Sequence, residues 1–308
     1  MPPSSPAMSI VIPMRDESRV LDELLGRIEA MLSGLPRSCE VIAVDDGSVD
    51  DTWQRLREAA ASRPWLRGIR LARNFGQHPA TFAGLEAARG PVIATMDADM
   101  QVPPEDMTLL IAHIDEGADI AFGARGHEGE GFIRSVIGPA VHSFLARHAA
   151  GRPPGQISTF LAAKRAVVEK ALLFKEQRPV TPFHLMLGGP KRVDLVAVEN
   201  APRAGGATKY GAFRLMRLAG DVFFAYTDLA WPAIVAGTAA VPLAALVFWL
   251  PAVLFAIAGW EAISLVLLMA GAVVVPTALA ILISLAAEMA LRARGAVSRP
   301  LYLVTETF

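Results

Sequence analysis

Two long stretches without a charged residue limit what this chain can become. Leu229 to Trp260 contains no Asp, Glu, Lys or Arg, and neither does Ala262 to Ala287. Each exceeds the ~20 apolar residues a helix needs to cross the hydrocarbon core of a bilayer. Only Glu261 separates them, so they are expected to form a transmembrane helical hairpin with a short turn at Gly259-Trp260-Glu261. The competing explanation is a buried helix pair, but soluble cores rarely need two uncharged runs of this length. The apolar excess of the 308-residue chain, 53% hydrophobic with a mean hydropathy of +0.40, is concentrated here.

Basic residues give the hairpin an expected orientation. Lys209, Arg214 and Arg217 precede it, Arg292, Arg294 and Arg299 follow it, and the turn has none. Both flanks should face the cytoplasm, giving a multi-pass protein of the inner (cytoplasmic) membrane. Met1 to Pro6 shows no basic region followed by an apolar run, so no signal peptide is expected and the N-terminal domain stays cytoplasmic. Phe213 to Phe224 mixes basic and bulky apolar residues. It suits an interfacial amphipathic helix or an ordinary core-facing one. From Ala201 to Gly220 there are four basic residues and no acid, a balance that favours an anionic leaflet. The net charge of −1 gives no argument for nucleic acid. Cys39 is the only cysteine and the six His residues are scattered, so neither a disulfide framework nor a zinc site is indicated.

The first 125 residues alternate strand-like and helix-like patterns. Ser9 to Pro13, Glu40 to Val44, Leu66 to Leu71, Val92 to Met96 and Asp119 to Gly123 have strand character. Helices are expected after Ser18 (apolar at Leu21, Leu24, Leu25, Ile28 and Met31), over Asp51 to Ala61, over His78 to Ala88 and from Pro104. Repeated βαβ units argue for a doubly wound, mostly parallel sheet. No G-x-G-x-x-G follows the first strand and no G-x-x-x-x-G-K-[ST] loop exists, which argues against the usual dinucleotide and P-loop sites. Instead two strands end on acids: Asp45-Asp46, and Asp97 with Asp99. The carboxyl ends of strands are where open α/β sheets bind ligands. A carboxylate there can accept hydrogen bonds from a base or ribose. Paired carboxylates suit Mg²⁺ or Mn²⁺, which in turn hold a diphosphate. The combination indicates a nucleotide-diphosphate ligand.

The motifs Ser9-Ile10-Val11-Ile12-Pro13 and Val44 to Thr52 resemble the opening of family-2 glycosyltransferases with the GT-A fold. Arg73-Asn74-Phe75-Gly76-Gln77-His78-Pro79-Ala80, Asp97-Ala98-Asp99-Met100-Gln101-Val102-Pro103-Pro104-Glu105, Arg203 to Tyr210 and Arg299 to Val304 narrow this to the polyprenyl-phosphate glycosyltransferases. Within that group they resemble the bacterial two-span branch, with its undecaprenyl-phosphate glucosyl- and aminoarabinose-type transferases. The resemblance implies a GT-A catalytic domain over residues 9–205 behind a disordered 1–8. An interfacial region at 206–228, two spans over 229–288 and a cytoplasmic tail at 289–308 follow. It implies inverting transfer of a sugar from a nucleotide-diphosphate donor, most often UDP in this branch, to the phosphate of a membrane polyprenol.

By the same resemblance, Pro13, Glu17, Asp45, Asp46, Arg73, Gln77, Asp97 and Lys209 bind the donor, although Asp46 equally suits a turn. Asp99 and Gln101 hold the metal, and Arg125, Arg134 and Arg203 meet the acceptor phosphate. Asp97, Asp99, Arg125 and Arg203 form the catalytic group. Three departures stand out. Gly155 to Phe160 lacks an acid that relatives carry and that is discussed as a base, so the base is dispensable here or the chemistry has changed. Asp16 replaces a more usual Asn. Gly126 to Gly131 is unusually Gly-rich and suits an acceptor loop. Relatives include oligomers, and the tail after Arg292 suits assembly. Two rival readings are a glycosyltransferase acting on another membrane lipid and a non-catalytic nucleotide-sugar-binding scaffold.

Overall fold

The computed structural model describes residues 6–125, 158–174, 179–199, 220, 223, 226, 230–295 and 300–308. Their order is β1 (Met8–Met14), α1 (Leu21–Ser33), β2 (Cys39–Asp45), α2 (Thr52–Ala60), β3 (Leu66–Leu71), α3 (Gln77–Ala87) and β4 (Val92–Thr95). A 3-10 turn (Pro104–Asp106), α4 (Met107–Asp115), β5 (Ile120–Arg125), β6 (Leu161–Lys164), α5 (Arg165–Leu172), α6 (Thr181–Met186) and β7 (Val193–Val198) follow. Last come α7 (Ala230–Ile257), α8 (Glu261–Gly295) and β8 (Val304–Thr307). Residues Met1–Tyr226 and Pro300–Phe308 make one compact unit, and Thr227–Arg299 the other.

In the first unit the sheet order is β7-β5-β6-β4-β1-β2-β3-β8. Among the described strands, β6 and β8 run against the rest. The chain steps outward from β1 through β2 to β3, then returns to place β4 on the other side of β1. That reversal opens a crevice at the carboxyl ends of β1, β2 and β4, the place where doubly wound sheets take ligands. The strands are apolar because both faces are covered. Met8, Ile10 and Ile12 of β1 pack with α1 and α4 residues on one face, while Val11 joins Ile42, Val44 and α3 residues on the other. Gly84 lets α3 lie close on β1, since a Cβ there would stand 2.2 Å from Val11 Cγ1.

Helix α1 buries Leu21, Leu24, Leu25, Ile28 and Met31 as its spacing requires. It begins at Leu21 rather than just after Ser18. The Ser18 amide donates to Asp50 Oδ2 at 3.3 Å and its carbonyl accepts from Arg55, so Ser18 is spent on the neighbouring loop. The tail expectation for 289–308 also changes. Helix α8 continues to Gly295, and Val304–Thr307 pairs antiparallel with β3 as an edge strand of the sheet. Edge pairing satisfies the row of backbone groups that β3 would otherwise present, and a four-residue strand carries too weak a period to be seen in sequence.

At the opposite ends of the strands, Glu40 is 4% exposed and accepts from Ser9 Oγ (2.7 Å), Arg67 Nη1 (2.8 Å) and Arg89 Nη2 (2.8 Å). Burial pushes its carboxyl up, but these bonds outweigh that and hold it below the ordinary range. Asp119 accepts from Lys164 Nζ and from the amides of Lys191 and Arg192, and the Lys164 bond leads in lowering its pKa to about 2. Both groups bind protons more weakly folded than unfolded. Their contribution is complete above about pH 4.5 and is lost as pH falls through the folded values. The thermal midpoint of the protein in detergent should therefore fall as pH is lowered from about 4.5 to 2. Asp119→Asn should cost about 2 kcal/mol at neutral pH and flatten that fall. An unchanged acid profile in the variant would show that the Lys164–Asp119 pair contributes nothing.

In the second unit, Ile234–Ile257 and Glu261–Ala287 are long and apolar enough to cross a membrane, with mean hydropathy 2.4 and 2.6. They are 6% and 11% buried, unlike core helices of a soluble domain. The turn at Gly259 has φ +78, a conformation glycine adopts without strain. Gly271 lies under Trp249, where a Cβ would come within 2.4 Å of the indole nitrogen, so the two helices pack closely.

Candidate active site

The crevice is built from three strand ends. After β1, Asp16 has φ +56, a left-handed conformation that Asp tolerates better than most residues. It is held from two directions: its amide donates to Ser48 Oγ (2.9 Å) and its Oδ1 accepts from the Val49 amide (2.8 Å). The Glu17 amide donates to Thr52 Oγ1 at 3.0 Å, and Pro13 is buried in register with Val44. The ends of β1 and β2 are thus tied into one wall.

Asp45 closes β2 with 0% exposure. Its Oδ1 accepts from the Ser48 amide at 3.1 Å. Its Oδ2 stands 3.3 Å from Arg70 Nε as an ion pair but accepts no hydrogen bond among the described residues. Burial raises the carboxyl pKa, against the pull of Ser48 and Arg70. A buried acceptor left without a hydrogen bond is costly, and it suits an incoming N–H or O–H.

Asp46 does something different. Its two oxygens accept the amides of Phe75 (2.7 Å) and Gly76 (2.8 Å), so it fastens the loop between β3 and α3. Next to it, Gly47 has φ +66, and a Cβ there would meet Arg73 backbone atoms at 2.5 to 2.8 Å. No side chain fits at 47 while that loop is in place. Arg73 is exposed and lies over the Phe75 ring at 4.2 Å.

The loop delivers Gln77, whose Nε2 donates to Asp97 Oδ1 at 2.6 Å. Thr159 Oγ1 donates to Asp97 Oδ2 at 2.9 Å. Thr159 is itself set by Thr95, whose hydroxyl donates to its carbonyl. Beyond β4 the alternation continues: Ala98 and Met100 are buried, while Asp97, Asp99 and Gln101 are half-buried on the cleft side. Met100 has φ +52, a strain worth about 1–2 kcal/mol for a residue with a Cβ. It turns the chain so that the Gln101 backbone amide donates to Asp99 Oδ1 at 3.2 Å, which ties positions 99 and 101 together at the end of β4.

This donor set fits a hard divalent cation. Asp99 and Gln101 offer carboxylate and amide oxygens, and the described residues include no cluster of three or more His, Cys, Asp or Glu. Mg²⁺ characteristically takes one or two carboxylates plus substrate phosphates, which is what two protein ligands beside a diphosphate site would supply. Arg125 ends β5 in register with Val198. Arg134, Arg203, Lys209, the Gly155-Gln156 segment and most of Phe213 to Phe224 lie outside the described residues.

Three participants were not anticipated: Thr159, Ser48 and Arg70. Thr159 lies in the very segment noted for lacking an acid, where a hydroxyl that orients Asp97 leaves no signature. Ser48 belongs to the Asp45-Asp46-Gly47-Ser48 turn, and only the fold shows that it receives Asp16.

A doubly wound sheet whose switch-point crevice carries two acidic strand ends and no glycine-rich phosphate loop is the mark of a GT-A domain. The chain matches the model of Glycosyl transferase family 2 over residues 9–170 and belongs to that family. It is 34% identical over 216 residues to the undecaprenyl-phosphate 4-deoxy-4-formamido-L-arabinose transferase of Klebsiella pneumoniae subsp. pneumoniae. That match covers 70% of this chain and 66% of that protein, so it spans just under two thirds of the relative. The protein of the same name from Shewanella sediminis is 34% identical over 222 residues, 71% of this chain and 66% of its own. Among solved structures, S. aureus TarS with UDP-GlcNAc superposes with a TM-score of 0.49 at 19% identity, over 72% of this chain and 67% of that one.

Proposed function

We propose that this protein transfers a sugar from a nucleotide-diphosphate donor, a UDP-sugar, to the phosphate of undecaprenyl phosphate, with inversion and with Mg²⁺ or Mn²⁺. The observation that carries the reading is the Asp97–Asp99–Gln101 edge at the switch point: one carboxylate clamped by Gln77 and Thr159, followed by Asp99 and Gln101, whose backbone amide is tied to the Asp99 carboxylate. The relatives' names support the acceptor, two helices long and apolar enough to cross a membrane support a membrane location, and the flanking basic residues support cytoplasmic flanks for the hairpin.

In this reading Asp45 and Glu17 receive the nucleoside. Asp97, fixed by two hydrogen bonds, sets the donor sugar without needing to reorganise. Asp99 and Gln101 hold the cation, which when bound neutralises the leaving diphosphate. Arg125, Arg134, Arg203 and Lys209 supply the permanent or near-permanent positive charge that phosphates need. A phosphate monoester has a second pKa of about 6 and is already a nucleophile at neutral pH. Holding two anionic partners in line then does most of the chemistry, and a general base at Gly155 to Phe160 is not required.

The test is nucleotide release by detergent-purified protein with Mg²⁺ or Mn²⁺, a panel of UDP- and GDP-sugars including a UDP-linked formamidoarabinose, and undecaprenyl phosphate present or absent. Release should require the lipid phosphate and stop with EDTA. Equal release without lipid would overturn the acceptor assignment. Binding without release for every donor would favour a scaffold.

A further inference from the structure

The last residues of the chain return to the nucleoside side of the crevice. Glu306 of β8 stands directly opposite Arg70 of β3 in the antiparallel register, so their side chains share a face. Arg70 Nη1 is 3.3 Å from Glu306 Oε1, and Arg70 Nε is 3.3 Å from Asp45 Oδ2. Glu306 also accepts from Trp53 Nε1 at 3.0 Å, and the Arg70 guanidinium lies 5.8 Å from the Trp53 ring centre. Phe308 packs on Trp53 at 4.9 Å between ring centres and fills the space left by Gly68, where a Cβ would come within 2.2 Å of its ring. Backbone bonds between Gly68 and Phe308, at 3.1 and 3.2 Å, fix the end of the strand.

We propose that Glu306 is a positioning residue for donor binding: through Arg70 it holds Asp45 ready to receive the nucleoside, making the strand beyond the membrane hairpin part of the donor site. The proposal rests on the reading of Asp45 given above. The energetic argument lies at the buried end of the relay. Glu306 and Arg70 are 45% and 32% exposed, and such a pair contributes little by itself. Asp45 is fully buried with one oxygen lacking a hydrogen bond. Displacing Arg70, the cation paired with it among the described residues, leaves a buried charge uncompensated, the costly case. Arg70 has Asp45, Glu306 and the Trp53 ring around it; Glu306 belongs to the C-terminal strand, and Trp53 is held by Glu306 and Phe308. Because the chain reaches that strand only through Thr227–Arg299, the apolar hairpin is covalently followed by a segment that bears on nucleotide affinity.

The experiment titrates UDP, and GDP in parallel, into full-length detergent-purified protein with MgCl₂ by calorimetry. It compares wild type, Asp45→Asn, Glu306→Gln, their double variant and Val304→Ala. Glu306→Gln keeps an acceptor for Trp53 but removes the negative charge facing Arg70. It should weaken nucleotide binding about fivefold, while Val304→Ala, in the same strand, should not. The double variant should bind no more weakly than Asp45→Asn alone, a non-additivity that a purely structural loss in β8 would not produce. Weakening by Asp45→Asn with wild-type affinity in Glu306→Gln, or additive effects, would overturn the relay and leave the donor site standing. No binding of either nucleotide by wild type would overturn the donor-site reading and the relay with it.

Discussion

Asp99→Ala is expected to lower sugar transfer at least about a hundredfold, the scale seen when one preorganised charge-stabilising group is removed from an active site. The loss should lie in turnover rather than in folding. Asp99 is half-buried on the cleft side, whereas the neighbouring Ala98 and Met100, 4% and 6% exposed, anchor the segment in the core. The thermal midpoint should stay close to that of wild type, and added Mn²⁺ should restore little. Gln101→Ala should be milder, because an amide oxygen is a weaker ligand than a carboxylate. Rates are read as nucleotide release with saturating donor and lipid phosphate across a metal titration. A near-wild-type rate for Asp99→Ala would remove the metal from its assigned place.

Asp46→Ala is expected to damage stability and activity together. Its carboxylate is 4% exposed and carries the Phe75 and Gly76 amides at 2.7 and 2.8 Å. Alanine leaves two donors without partners, at about 1–3 kcal/mol each. The loop they release leads straight into Gln77, which holds Asp97. Transfer should therefore fall in parallel with the denaturation midpoint, unlike the separation expected for Asp99. Asp46→Asn should be milder in stability for two reasons. The amide oxygen still accepts one of the two bonds, and the buried charge, whose folded pKa burial raises against the pull of the two amides, is gone. If Asp46→Ala kept the wild-type midpoint but bound nucleotide weakly, Asp46 would be a donor contact and not a loop fastener.

Much of this architecture was legible before any coordinates. The uncharged runs at 229–260 and 262–287 and the apolar strands ending on acids made both the hairpin and the doubly wound sheet readable. These signals are periodic or composition-driven, and burial enforces them residue by residue. What was not legible depended on partners far away in sequence. A start at Ser18 was reasonable for α1, yet Ser18 is drawn off by Asp50 and Arg55. Asp45 and Asp46 look equivalent in sequence. One ends with an oxygen that accepts no hydrogen bond and the other with both oxygens on backbone amides, because adjacent residues at a strand end face opposite sides.

The sequence alone determined that this chain has an α/β domain with carboxylates at two strand ends and a pair of helices long and apolar enough to cross a membrane, since hydrophobic pattern and charge are local properties. Only the tertiary structure decided which of those carboxylates is clamped, which is left without a hydrogen bond and which holds a loop. It alone placed Val304–Thr307 against β3, because strand pairing and side-chain hydrogen bonds join residues up to 253 positions apart, and nothing in either partner's neighbourhood along the chain names the other.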